Sequence, residues 1–363
     1  MLGQNDGTEL SLGSFRLRFP ADIEVGNLMM KQQGDTLLAA KSAHVDIKVL
    51  PLLSGKIVVK EAILSEARYR IGAPDSAMYM TIAADSIALV PASICLGNMD
   101  ISLDNALIRG GRLGIWIGSD TTEAKEPSKP TKMRILVDRL KLDDFAYTMR
   151  LMPTIDTLSA NIGSAVISQG DINLLKQTIG VGSFCGDGLK ARYIAPDSTA
   201  IAQGGPYPTA KSSSAEDTIA SAPWTVTIDS IAFTRSHALY TSSGVKPRPG
   251  LDFSFIEVDS LDLRLHNFYN QASSLRLPLS LRGTERCGVS LAVDGSLEID
   301  STGLYFKEIQ LSTREGTALS FDGLLGLGDL AGNPATPLRL RLDGALSPAD
   351  LALMFPFASP FLR

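Results

Sequence analysis

The stretch VTIDSIAF, residues 226–233, decides the fold. Val226 and Ile228 share one parity, while Ile231 and Phe233 take the other. The apolar residues therefore alternate, slip by one at Asp229-Ser230, and alternate again. A period of two marks a strand with one apolar and one polar face. In a flat strand the slip would send half of those side chains to water. A tight two-residue turn would repair it, and so would a β-bulge, which adds a residue and bends the strand. Two-residue turns need positive φ and favour Asn-Gly or Asp-Gly, so Asp-Ser reads as a bulge.

The same pattern occurs in TIAADSIAL (81–89), ILVDRLKL (135–142), TIDTLSANI (154–162) and FIEVDSLDL (255–263). The spacing is irregular, which argues against a tight solenoid of fixed period. Bulges at matching places on successive strands curl a sheet. SLDLRL (260–265) sets Leu261, Leu263 and Leu265 on one face, PLRLRLDG (337–344) does so with Leu338, Leu340 and Leu342, and SLEID (296–300) is similar. Gly110-Gly111, Asp294-Gly295 and Asp322-Gly323 read as turns. Helix signals are few. SPADLALMF offers Ser347 as N-cap, Pro348 at the first helical position and Asp350 at the capping-box position. A second short helix is expected around Pro51 to Leu53.

The fold expected is mainly β: a long curled antiparallel sheet with a few short helices. Two stretches have linker composition, SDTTEAKEPSKPTK (119–132) and residues 195–223. They set out a β module over 1–118, a linker or loop over 119–132, a β segment over 133–194, a flexible loop over 195–223, a β segment over 224–346, and the start of a helix over 347–363. Such a sheet can close on its own core, or stay open as a trough fit for acyl chains. Periodicity does not choose between them.

Of 363 residues, 44% are hydrophobic and 20% charged, enough to bury a core. A formal net charge of -5 argues against a nucleic-acid partner, which needs a basic face. Cys95, Cys185 and Cys287 are far apart and odd in number, so buried free thiols are expected rather than a disulfide framework. His44, His237 and His266 are scattered, and no zinc spacing appears. The run KVLPLLSGKIVVKEAIL (48–64) is apolar, but Pro51 and Gly55 break a long helix. No segment reaches the ~20 apolar residues of a spanning helix. MLGQNDGTELS lacks the pattern of a signal peptide. The apolar end LMFPFASPFLR suggests a piece of a longer chain.

Phe15 to Gly72, with its parts Gly34–Leu38, Val45–Val49, Leu50–Gly55 and Lys56–Leu64, resembles the N-terminal module of the AsmA/TamB family. Residues 286–323 resemble the repeats of TamB-like proteins from Bacteroidetes, with Cys287 where a small residue is common. The resemblance implies repeating β-grooves that carry phospholipid or another lipid, or assist outer-membrane assembly, in the periplasm of Gram-negative bacteria. It also implies an inner-membrane anchor outside this chain. The groove lining expected is Leu140, Leu142, Ile231, Phe233, Leu261, Leu263 and Leu265. Leu50, Pro51, Leu52 and Leu53 are expected to cap the groove by plugging its apolar face.

Little speaks for catalysis. His237 and His266 sit in no motif, and FCGDGLK around Cys185 matches neither a phosphate loop nor a nucleophile elbow. The recurring Asp85, Asp138, Asp156, Asp229 and Asp259 could suggest a glycosidase, but paired carboxylates must face each other across a sugar. They are better read as water-facing bulge or edge residues. Aromatics at 6% disfavour a carbohydrate-binding surface. The expectation is a non-enzymatic lipid-transfer module with no cofactor and no metal. The alternative is a scaffold that pairs its sheet edges with outer-membrane protein strands.

Overall fold

The computed structural model describes residues 8–19, 21–32, 35–72, 78–95, 100–117, 133–151, 156–195, 224–271, 274–300, 302–326 and 339–357. The expected linker 119–132 lies outside them, as do residues 196–223 of the expected loop, residues 154–155 of one strand motif, and Leu338. The fold is mainly β, with nineteen strands among the described residues. Contacts divide the chain into two compact units, Met1–Pro153 with Ser159–Val181, and Thr154–Leu158 with Gly182–Arg363.

The first unit holds β1 (Thr8–Ser11), β2 (Ser14–Arg18), β3 (Asp22–Gln32), β4 (Asp35–Lys48), β5 (Lys56–Ile71), β6 (Met78–Leu89), β7 (Ala92–Cys95), β8 (Asp100–Arg109), β9 (Arg112–Ile117) and β10 (Arg134–Leu151). β11 (Asp156–Asn173) and β12 (Thr178–Ala195) have residues in both units. β1 and β2 both pair with β3, and β3 to β6 follow as antiparallel neighbours. β7 lies between β5 and β8. β8 and β9 both pair with β6, and β10 runs parallel to both. That parallel pairing departs from the all-antiparallel expectation.

The second unit is an antiparallel meander. β13 (Thr225–Ser242), β14 (Phe255–Gln271), β15 (Ser274–Glu285), β16 (Ser290–Ile299), β17 (Gly303–Thr313), β18 (Ala318–Gly326) and β19 (Arg339–Ala345) pair in chain order. Both expected helices form. Leu50–Ser54 is a 3-10 turn closed by Gly55 at φ 72. The helix α1 (Pro348–Met354) is capped by Ser347, whose side chain accepts from the Ala349 N–H. Asp350 does not complete a capping box. It turns into the sheet, fully buried, and accepts from Thr313 Oγ1 and from Thr317 Oγ1 at 2.6 Å. The Ser347 N–H donates to Thr317 Oγ1 at 2.9 Å instead.

The three glycine pairs are not hairpin turns. Asp294-Gly295 lies inside β16 and Asp322-Gly323 inside β18. Gly110-Gly111 separates β8 from β9, but both sit on β6 and β10, so they are one strand with a break. An Asp-Gly pair reverses a chain only where its flanks can pair with each other. Here the flanks already pair with neighbouring strands.

The slip in parity takes a more ordered form than isolated Asp-Ser bulges. In FIEVDSLDL the bulge stands as expected: Ser260 has φ 52, and the register with β15 shifts between Asp259 and Asp262. Elsewhere the left-handed residue is on the neighbour. Asn267 (φ 53) lies opposite Asp229, and Glu66 (φ 48) opposite Asp85. Both strands of each pair slip together, so no register shift results. In the first unit these points line up. The registers set Asn27 (φ 49) against Lys41, Lys41 against Glu66, Glu66 against Asp85, Asp85 against Gly110 (φ 58), and Gly110 beside Asp144 (φ 54). Lys41 Nζ donates to Glu66 Oε1, which raises the lysine above its ordinary range. This line is a crease across the sheet. A non-glycine residue in the left-handed region costs about 1–2 kcal/mol. A carboxylate can help hold such a residue: Asp262 accepts from the Arg235 N–H at 3.2 Å, and Asp322 from the Glu308 N–H at 2.7 Å.

Candidate functional site

The crease keeps one face apolar along the whole length of each strand. On one side of it, Ala43, Leu64, Ile87, Ile108 and Leu142 stand in register across β4, β5, β6, β8 and β10. Val45, Ala62, Leu89, Ala106 and Leu140 form the next row. Beyond the crease, Tyr69, Ile82, Leu113 and Tyr147 continue on β5, β6, β9 and β10. Directly at the crease the apolar face carries Ala40, Ala67, Ala84 and Gly111, all buried. Small residues this well covered by their own neighbours mark the inner side of a bend. The sheet of the first unit therefore folds toward its apolar face, and a floor of alanine lies between two flanks of larger side chains, closed toward β10 by Phe145, whose ring stands over Gly111.

Burial separates an open face from a closed core. In a closed sandwich the large aliphatics are the buried residues. Here alanines (Ala40, Ala62, Ala67, Ala84, Ala92, Ala106 and Ala165) are as common among the buried hydrophobics as larger residues such as Leu142, Ile162, Phe233 and Ile309, while Leu64, Ile87 and Leu89 are only half-buried. Tyr69 and Ile82 on the far flank are 39% and 37% exposed.

The second unit repeats the arrangement. Phe233, Leu263, Leu281, Val293, Leu311 and Leu319 form a row from β13 to β18. Ile231, Leu265 and Leu279 lie beside it. Phe184 on β12 meets Phe233 edge to face, with ring centroids 4.9 Å apart. Phe233 is buried, and the leucines of the row are half-buried. The opposite face is charged: Glu298 pairs with Arg276 at 3.4 Å and with Lys307.

The residues expected to line a groove fall as follows. Leu140 and Leu142 end the two rows of the first unit. In the second unit Ile231 pairs directly with Leu265, and Phe233 with Leu263. Leu261 is buried beside Gly283, on the same face as Val258 although the two differ in parity, because the Ser260 bulge lies between them. The alanine floor was not foreseen. Its only sign in the sequence is an alanine next to each slip, in LLAAK, SEARY and AADS.

The expected cap is corrected. Leu50 and Leu53 are 80% and 89% exposed, Leu52 is exposed, and only Pro51 is half-buried. The turn projects from the sheet instead of folding back over it, because β4 and β5 pair up to its base at Lys48 and Val58. These side chains plug no apolar face.

The polar candidates do not converge. Asp85, Asp138, Asp229 and Asp259 face water, while Asp156 is buried. His237 Nε2 lies 3.0 Å from Glu257 and 3.6 Å from Asp259, both carboxylates. His44 lies 3.3 Å from Asp22, and His266 is exposed. Among the described residues no group of His, Cys, Asp and Glu is placed to hold a metal ion. All three cysteines are free, but Cys185 is exposed, contrary to the expectation of buried thiols. Its strand gives it no covering neighbour, whereas burial and the adjacent Glu285 push the half-buried Cys287 thiol up to about 11.

Comparison with protein-family models, curated proteins and solved structures finds no match.

Proposed function

We propose that this chain is a non-enzymatic lipid-binding and transfer module that holds acyl chains against its apolar face. One observation carries the reading: in each unit apolar side chains stand in register across the strands, and most of the larger ones, Leu142 and Phe233 apart, stay only partly buried. An acyl chain laid along such rows is shielded at about 0.8 kcal/mol per CH2 removed from water, without covalent chemistry. The alanine floor of the first unit, over β4 to β6, leaves depth for it. Together with the resemblance of Phe15–Gly72 to the AsmA/TamB family, this favours a role in outer-membrane biogenesis in the periplasm of a Gram-negative cell, with phospholipid or another lipid as cargo.

The test is to purify the chain, extract it with organic solvent and analyse the extract by mass spectrometry. Acyl lipid is expected to co-purify, and to be lost from a Tyr69→Gln/Ile82→Gln variant, whose half-exposed positions tolerate polar groups. A lipid-free wild-type chain that also fails to bind a fluorescent fatty acid would sink the reading.

A second reading has its own support. All residues of β19 are exposed, and its pairing is with β18 alone among the described residues. Such an edge can accept an added strand, as an assembly scaffold for outer-membrane proteins would. A photo-cross-linker at Leu340 should then capture an outer-membrane strand, and the capture should not depend on lipid.

A further inference from the structure

One rim of the first unit's sheet carries large apolar side chains in water. The registers place Arg18 opposite Asp22, and Asp22 opposite Asp46. The Ile47 N–H donates to the Ala21 carbonyl at 3.1 Å. Phe19, the residue that follows β2, and the turn that joins β4 to β5 thus share that rim. Phe19 is 98% exposed, and Leu50 and Leu53 of the turn are nearly as bare, with Val49 and Leu52 exposed beside them. Exposed apolar residues scattered singly need no explanation, but a contiguous patch marks an interaction site.

The turn is also shaped to project. Gly55 closes it in the left-handed conformation, and its N–H donates to the Leu52 carbonyl at 3.1 Å. Ser54 Oγ donates to the Pro51 carbonyl at 2.8 Å. Lys48 and Lys56 flank its base, both exposed, and neither belongs to an ion pair among the described residues. Of the carboxylates on the flanking strands, Asp46 is held by Lys60 at 2.9 Å and Asp22 lies against His44, while Glu61 stands exposed opposite Asp46, further from the turn than Lys48 and Lys56. Apolar tips flanked by two lysines that belong to no ion pair among the described residues match one environment, the interface of a bilayer with anionic headgroups.

We propose that this rim docks side-on to an anionic lipid bilayer, with Phe19, Leu50 and Leu53 entering the interface and Lys48 and Lys56 meeting the headgroups. The inference goes beyond the reading above, since it concerns a membrane surface and not a lipid held on the sheet face.

The experiment is flotation of the full chain with vesicles of phosphatidylcholine alone, and of phosphatidylcholine with phosphatidylglycerol. Wild type should float with the anionic vesicles and more weakly with the neutral ones. Leu50→Ser/Leu53→Ser should bind both at least about tenfold more weakly. Lys48→Glu/Lys56→Glu should lose the preference for the anionic vesicles. Circular dichroism melts of both variants should match wild type, since the altered side chains are exposed. Co-purified lipid should also be unchanged in both variants, which separates this proposal from the lipid-holding reading. Failure of wild type to float, or unchanged flotation of the leucine variant, overturns the proposal. So does light scattering that shows a dimer dispersed by Leu50→Ser/Leu53→Ser, because the patch would then be a contact between copies of this chain.

Discussion

Two truncations on one row distinguish an open face from a closed core. Phe233 is 3% exposed, packs edge to face on Phe184 and pairs with Leu263. Phe233→Ala removes a fully buried ring and leaves a cavity, so it should cost about 3–5 kcal/mol, the range for buried Phe→Ala. Leu281 lies on the same row between Leu263 and Val293, but only half-buried. Only part of its side chain leaves water on folding, so Leu281→Ala should cost about 1–2 kcal/mol. The assay is equilibrium urea unfolding followed by fluorescence. The chain has two tryptophans, one in each unit, at Trp116 and Trp224. A Trp116→Phe background leaves Trp224, just before β13, as the reporter of the second unit. Equal penalties for the two truncations would mean that a covering layer seals the whole row, and the argument for an open apolar face would fail. A Leu281→Ala penalty well below that of Phe233→Ala, joined to weaker retention of a fluorescent fatty acid, is the expected result.

Asp350→Ala takes the acceptor from two hydroxyls, the buried Thr317 Oγ1 and the half-buried Thr313 Oγ1. It should cost about 2–4 kcal/mol in urea unfolding, with Asp350→Asn recovering part of that. Gly295→Ala should destabilise by more than about 2 kcal/mol, since φ is 150 and the new Cβ would lie 2.8 Å from Ile309 Cα. Gly316→Ala has only its left-handed φ of 97 against it, with nothing within 4 Å, and should cost about 1 kcal/mol; thermal melts of the pair give the order. Iodoacetamide at neutral pH should label the exposed Cys185 first. Cys287, with its thiol pushed up to about 11, should label only as the solution turns alkaline, because the thiolate is the reactive form. Peptide mass spectrometry reads the order.

Much of the architecture was legible because strands write their faces into sequence with a period of two. Leu261, Leu263 and Leu265 were assigned one face from spacing alone, and their partners Ile231 and Phe233 prove to be direct cross-strand neighbours. The helix at Ser347 was legible because capping is local. The slip at Asp-Ser was seen, but its mechanism was only partly read, since the left-handed residue often sits on the neighbouring strand, as Asn267 does for Asp229. Pairing between distant segments leaves no local mark. The three glycine pairs were misread for the same reason: Gly110-Gly111 looks like a turn until β6 and β10 are known to run past it. The exposed Leu50 and Leu53 look like a plug in the sequence, because apolarity does not say which way a turn projects.

The crease has a consequence for how such a sheet can change its shape. Each strand that crosses it holds two half-strands whose inward residues are chosen independently, joined by one surplus residue such as Glu66 or Asp144. Deleting that residue from one strand alone would keep that strand's own alternation but leave half of it one residue out of register with neighbours that still cross the crease. Deleting the facing residue as well, Glu66 together with Asp85, would restore the register between those two strands and flatten that step. Curvature in this protein is therefore counted in whole residues, and the sheet can be opened or tightened one strand pair at a time without altering what its inner face is made of.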